Sequence, residues 1–363
     1  MVGMELSTVI FSVIIGTSFG ILLQKGRFCF TMAMRDYIAY KDTRVLRGVT
    51  TGILTAMIGI SIAYTLGVSE NNFWVPNFGL SNVIGGFIFG IGMVYGGGCA
   101  SGTLYRAGEG YIYYWVMLIF VALGYAAFAL LFPVVFLPYY FEPLQIFSGF
   151  SLIKWLGNYS IVMSLLIIIS TYLILKNNYK ISIKEYAKIN INSITVKKMK
   201  GPWDTAYVGI GLGIMATLWF ALWGSWSVTG PEAKWFGLGY SKIFGEQFIE
   251  NNIYWKNVVY SSSSISITPD MVMLISLVFG SFLAAYFSGE FKIRKMKTDR
   301  LPNAVIGGIL MGFGSRMAPG CNISNTFTGL AFLSVPGFVT SLGLLLGVYV
   351  ATHWMFRKVG CAI

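Results

Sequence analysis

Long apolar runs alternate with short polar breaks along the whole chain. Nine runs stand out, at about 6–23, 46–67, 79–95, 111–132, 159–175, 204–223, 270–288, 302–317 and 337–356. Runs of this length and apolarity predict helices that cross a bilayer. Several are shorter than the ~20 residues that cross a bilayer upright, and glycines interrupt them, as in the broken helices of transporters. The pattern predicts an all-α membrane protein of about nine transmembrane helices plus short broken or re-entrant helices. The run at 6–23 has neither a basic lead nor a small-residue cleavage site, so it reads as a retained span and not as a signal peptide.

Composition agrees. Hydrophobic residues make up 56% of the 363 residues and charged residues 11%, against about 25% charged in soluble domains. This excludes a disordered chain and argues against a soluble enzyme. The net charge of +12 falls in a few short loops rather than on one face, so no nucleic-acid partner is expected. Basic residues cluster after the first span (Lys25, Arg27, Arg35, Lys41, Arg44, Arg47), in 176–200, in 291–300 and at the tail (Arg357, Lys358). Loops 68–78 and 133–158 are nearly free of them, and 224–269 is close to balanced. The positive-inside rule then predicts an outside N-terminus and a cytoplasmic C-terminus. The expected organisation is a first membrane half at 1–175, a basic cytoplasmic linker at 176–200 beside anionic lipid, and a second half at 201–363. The second half carries a long external insertion at 225–268.

Two segments align without a gap. Val83, Ile84, Gly85, Gly86, Gly90, Gly92, Gly98 and Cys99 recur as Val305, Ile306, Gly307, Gly308, Gly312, Gly314, Gly320 and Cys321. The charge map runs the two copies in opposite directions, which predicts an inverted-topology repeat with a site between the halves. Glycines four apart, such as Gly86 with Gly90 and Gly308 with Gly312, suit close helix packing. The glycines just before the cysteines differ. Gly96-Gly97-Gly98 and Pro319-Gly320 stop a helix, and each precedes a short polar stretch. A third break, Gly26-Arg27-Phe28-Cys29, follows the first span; its counterpart across 205–230 echoes Gly16 and Gly20 but has no cysteine.

Irregular backbone at membrane depth is tolerated only where it is buried in protein or lines a polar cavity. A half-helix N-terminus there favours an anion, and a cysteine adds a weak S–H donor and a polarizable sulfur. A buried cysteine is ordinarily a small apolar filler; the breaks set Cys29, Cys99 and Cys321 apart, whereas Cys361 in the tail has no such context. The candidate path residues are Cys29, Cys99, Cys321, Gly98, Gly320, Arg316, Asn322 and Ser101. Arg316 precedes the third cysteine on the external half, where the positive-inside bias does not require it. Arg27 and Arg106 fit snorkelling toward the cytoplasm. With one histidine, His353, and no C-x-x-C spacing, no metal or cofactor is expected. Trp74, Trp155, Trp203, Trp235 and Trp255 fit interface anchors. A soft anion fits the thiols; a redox disulfide stays open.

Gly26-Arg27-Phe28-Cys29-Phe30, Gly96-Gly97-Gly98-Cys99-Ala100-Ser101-Gly102 and Ala318-Pro319-Gly320-Cys321-Asn322 resemble the three cysteine motifs of the YeeE/YedE family of sulfur-compound transporters. The resemblance implies an inner-membrane transporter that imports thiosulfate and is not itself an enzyme. It further implies that Cys29, Cys99 and Cys321 hand the ion along a central path by S–H hydrogen bonds. A small cytoplasmic TusA-like sulfur carrier is an implied partner. The chain departs from the family pattern in the insertion at 225–268 and in Cys361. Alternatives are a selenium species or another sulfur anion as cargo, or a membrane thiol oxidoreductase or sulfurtransferase. No Walker-type motif occurs, which argues against ATP hydrolysis.

Overall fold

The computed structural model describes residues 5–68, 72–134, 147–179, 201–261, 264–265 and 267–359. Cys361 and the lysines of 180–200 lie outside the described residues. Among the described residues the regular structure is helical apart from a two-residue antiparallel pair, Tyr260–Ser261 with Ser264–Ile265. In chain order the principal helices are α1 (Leu6–Lys25), α2 (Phe30–Tyr40), α3 (Arg44–Thr65), α4 (Leu80–Gly96), α5 (Ala100–Gly108) and α6 (Ile112–Leu131). They continue with α7 (Ser160–Tyr179), α8 (Thr205–Leu222), α9 (Thr229–Phe244), α10 (Pro269–Phe287), α11 (Leu301–Met317) and α12 (Val335–Val359).

Among the described residues, eight segments are long and apolar enough to cross a membrane, and the chain is a multi-pass membrane protein. The ninth run of the sequence pattern is α11, 17 residues long. Large apolar side chains face outward, among them Ile10, Phe11 and Ile14 on α1, Trp115 and Ile119 on α6, and Leu342 and Leu346 on α12. Glycines face inward. Lipid tails are as apolar as leucine, so burying leucine gains little in a membrane; close backbone contact between small residues does the packing instead.

The closest helix pairs are α1 with α10, α3 with α8, α4 with α12, α6 with α11, and α4 with α11. Gly16 and Gly20 abut the carbonyls of Met273 and Leu277, and Gly209 and Gly213 abut those of Gly48 and Gly52. Gly86 and Gly90 meet Thr340 and Leu344, whereas Gly308 and Gly312 meet Met117 and Val121. In the central pair, Gly85 meets Ala318 and Gly307 meets Gly96, while Gly92 meets Met311 and Gly314 meets Phe89. Exchanging α1 with α8, α3 with α10, α4 with α11 and α6 with α12 maps four of these pairs onto one another and the central pair, α4 with α11, onto itself. Partner numbers fall along α11 as they rise along α4, so those two helices run antiparallel.

Two features add to the sequence pattern. The segment 225–244 holds a helix: α9 stands in the chain between α8 and α10 as α2 stands between α1 and α3, and it buries Thr229, Glu232 and Ala233. Trp255 is fully buried rather than anchored at an interface, and the Trp235 indole donates to the Met271 carbonyl at 3.0 Å. The break between α8 and α9, at Trp223–Val228, brings α9 back against α6 and α10.

Candidate functional site

Each candidate cysteine stands where a long helix has ended and a short one begins. After α1, the turn at Gly26–Phe28 puts Arg27 in the left-handed region (φ 45°) and leaves Cys29 as the N-cap of α2. After α4, Gly97 turns left-handed (φ 68°), and Cys99 caps α5, its sulfur accepting from the Gly102 N–H at 3.3 Å. The two sulfurs lie 3.7 Å apart, fully buried. Ser101 Oγ is 3.4 Å from the Cys99 sulfur. A Cβ on Gly102 would sit 3.0 Å and 3.2 Å from the two sulfurs, so glycine is what leaves them room.

Arg106, one turn further along α5, folds back over this pair. It donates to the Gly97 carbonyl and to Tyr114 Oη, both at 2.7 Å, and to Tyr105 Oη at 3.2 Å. A Cβ on Gly98 would meet its guanidinium at 3.3 Å. Its charge acts on Cys29, and among the described residues no carboxylate pairs with it. Arg106 is thus held at the break by neutral acceptors rather than by an ion pair, whereas Arg27 reaches the surface and pairs with Glu290 at 3.3 Å. Gln24, near the end of α1, donates to Glu109 after α5 at 3.2 Å and to Glu290 after α10 at 2.7 Å, which ties these three chain turns together. Glu109 lies in the turn between α5 and α6, and burial pushes its carboxyl up.

The third cysteine forms a second cluster. Gly320 is left-handed (φ 122°), and a Cβ there would strike Ser324 Oγ. Cys321 donates its N–H to Ser324 Oγ at 2.9 Å, and Asn325 clamps the break through the Ala318 carbonyl at 3.2 Å. The following turn, Ile323–Thr328, is π-helical, a widening often found at functional sites. Arg316 donates to Thr229 Oγ1 at 2.8 Å and lies over the Tyr125 ring at 5.1 Å. Tyr125 in turn donates to Glu232 at 2.7 Å.

Four buried polar groups in these clusters have no partner among the described residues: Thr31 Oγ1, the Asn322 side-chain amide, Arg316 Nε and Trp226 Nε1. Buried donors are nearly always satisfied, so orphans of this kind mark room for a polar guest. Aromatic contacts join the clusters, Phe30 to Phe327 at 6.1 Å and Phe327 to Trp226 at 5.5 Å. A cavity of about 610 Å³ reaches Arg316, Pro319 and Gly320. Another of about 560 Å³ reaches Gly96 and Gly97 and is lined by Arg35, Arg294, Lys295, Lys297 and Arg300.

The candidate residues thus fall into two groups. Cys29, Cys99, Ser101 and Gly98 lie together, and Cys321, Asn322, Gly320 and Arg316 lie together. The sequence pattern read Arg106 as a snorkelling cation and missed Tyr125, Trp226, Thr229 and Glu232. A signal existed for the last: Glu232 is an isolated acid just after Gly230-Pro231, where a helix starts. Reading the segment as a long insertion, with no element of its own, removed the reason to suspect it.

The sulphur-transport family model matches residues 25–350. The chain is 28% identical to the thiosulfate transporter TsuA of Escherichia coli (strain K12), over 97% of this chain and 96% of that protein. It is also 28% identical to the thiosulfate transporter TsuA of Spirochaeta thermophila, over 95% and 98%. A shorter stretch of 104 residues is 38% identical to the probable transporter YedE of Escherichia coli, covering 29% of this chain and 25% of that one.

Proposed function

This chain belongs to the sulphur-transport family, and from that premise we propose that it carries thiosulfate across a membrane, past its three buried thiols. The single observation that carries the reading is the contact between Cys29 and Cys99, two S–H groups facing each other at helix N-termini under Arg106. A soft terminal sulfur is recognised by polarizable thiols, and oxyanion oxygens by N–H donors at helix starts. The anion would be drawn into the 610 Å³ cavity by Arg316, pass Cys321, and reach Cys29 and Cys99. It would leave by the 560 Å³ cavity, whose five cations attract it.

In this reading the 610 Å³ cavity is external and the basic one cytoplasmic, in an inner membrane, with the N-terminus outside. The halves are inverted repeats; the antiparallel α4 and α11 and the exchanged glycine contacts support that. The chain acts as a transporter rather than an enzyme, and a TusA-like carrier takes the sulfur at the cytoplasmic face. The test is uptake of labelled thiosulfate into proteoliposomes, with sulfate, sulfite and selenite as competitors. Saturable uptake that disappears in Cys99→Ala and Cys321→Ala supports the path; full uptake by both variants rejects it.

The 3.7 Å separation favours one second reading, thiol redox or sulfurtransferase chemistry at Cys29 and Cys99. Mass spectrometry of the cysteines during turnover separates the two. A sulfur adduct on the pathway supports covalent chemistry, and unmodified thiols support passage.

A further inference from the structure

The outer cluster holds a charge arrangement that anion passage alone does not use. Glu232 is 4% exposed, and among the described residues its carboxylate accepts one hydrogen bond, from Tyr125 Oη at 2.7 Å. Its charge acts on Arg316, yet no ion pair joins the two among the described residues. From α6 it faces Tyr125, and from α11 it faces Arg316. Lys234, on its own helix, is neutralised by Asp270 of α10 at 2.9 Å. Tyr254, from the short helix Ile253–Val259, engages Arg316.

Arg316 is thus the cation of this neck, and Glu232 is the group that opposes it. Thiosulfate brings two negative charges to one guanidinium. With Glu232 ionised, the guanidinium is already partly compensated and the arriving anion meets a third negative charge. With Glu232 protonated, the guanidinium is free for the anion. We propose that Glu232 takes up a proton as the anion binds beside Arg316, so that anion and proton occupy this neck together. The inference rests on the reading of this neck as the thiosulfate site.

The chemistry balances simply. A proton from water in the 610 Å³ cavity, which is lined by the neighbouring Pro231 and by Arg316, joins the Glu232 carboxylate, no bond to the anion forms or breaks, and the proton leaves when the anion does. Glu232 lies in the connection between two spans, and burial pushes its carboxyl up to about 7, where it can exchange a proton at neutral pH. Reciprocity then fixes the sign: what the anion does to proton affinity, the proton does to anion affinity. The dissociation constant therefore rises with pH, approaching tenfold per unit above the carboxyl's midpoint.

The experiment is calorimetric titration of the detergent-solubilised full chain with thiosulfate between pH 6 and 8. Two buffers of different protonation enthalpy count the protons taken up, and thiosulfate itself stays a dianion throughout. The wild type is expected to take up a fraction of a proton that grows toward one as pH rises. Glu232→Gln, which can still accept from Tyr125, is expected to bind without proton uptake and with a flat pH profile. Tyr125→Phe removes a bond that favours the carboxylate, so it should shift the wild-type profile to higher pH, and it carries the test if Glu232→Gln does not fold. Wild-type binding without proton uptake, or equal uptake in Glu232→Gln, overturns the inference and leaves the thiosulfate reading standing. No binding at any pH overturns both.

Discussion

Cys29 and Cys99 stand 70 residues apart in the chain, yet their sulfurs meet at 3.7 Å, each at the start of a short helix. Two independent helix breaks must agree for this to happen. The Gln24 amide, donating to Glu109 and Glu290, ties the end of α1 to the turn that follows α5. The proximity makes the pair an oxidation trap as well as a candidate transfer point. Copper-phenanthroline or diamide, taking two electrons and two protons from the thiols, is expected to link Cys29 to Cys99 and stop uptake. Dithiothreitol should restore it. The peptide carrying the cross-link is identified by non-reducing mass spectrometry, and uptake that survives complete cross-linking would remove these sulfurs from the path.

Replacing single thiols separates structure from passage. Cys99→Ala loses the sulfur that caps Gly102, a loss of about 1 kcal/mol by analogy with oxygen caps. The protein should therefore still fold while uptake is lost. Cys99→Ser keeps the cap but replaces a soft atom with a hard one, so it should restore the thermal midpoint without restoring uptake. Tryptophan fluorescence on heating gives the first quantity and labelled uptake the second.

Arg316 should act on affinity. A charged hydrogen bond is worth about 1.5–3 kcal/mol, so Arg316→Gln is expected to weaken half-saturation by roughly 10- to 100-fold. Arg316→Lys keeps the charge but loses the planar fork and should fall between. Equal half-saturation in all three proteins would mean that the anion does not visit the Arg316 side of the 610 Å³ cavity.

The central helix crossing depends on absent side chains. A Cβ on Gly92 would lie 2.7 Å from the Met311 nitrogen, and one on Gly314 would lie 2.6 Å from the Phe89 nitrogen. Gly92→Val and Gly314→Val should each cost about 1–3 kcal/mol or prevent folding. Gly239→Ala, with nothing within 4 Å, should leave the midpoint unchanged or slightly raised. Size-exclusion profiles with thermal melts in detergent rank the three.

Span positions, the repeat ending at Cys99 and Cys321, and three of the helix breaks are legible in the sequence. They depend on local properties: runs of apolar residues, glycines before a cysteine, and basic residues in loops. Long apolar runs have few stable forms in a bilayer, so the helices at Leu6–Lys25 and Thr205–Leu222 follow directly from composition. Which residues converge is not local. Phe30 reaches Phe327, Arg106 turns back to Gly97, and Glu232 enters the bundle beside Tyr125 only because α9 packs inward. The sequence alone determined a broken-helix membrane protein with three marked cysteines. The tertiary structure decided that two of those cysteines touch, that the third stands with an arginine and a buried acid, and that the fourth break belongs to the same interior. Close helix packing sets those distances, and in a membrane that packing is governed by where glycine lets two backbones meet.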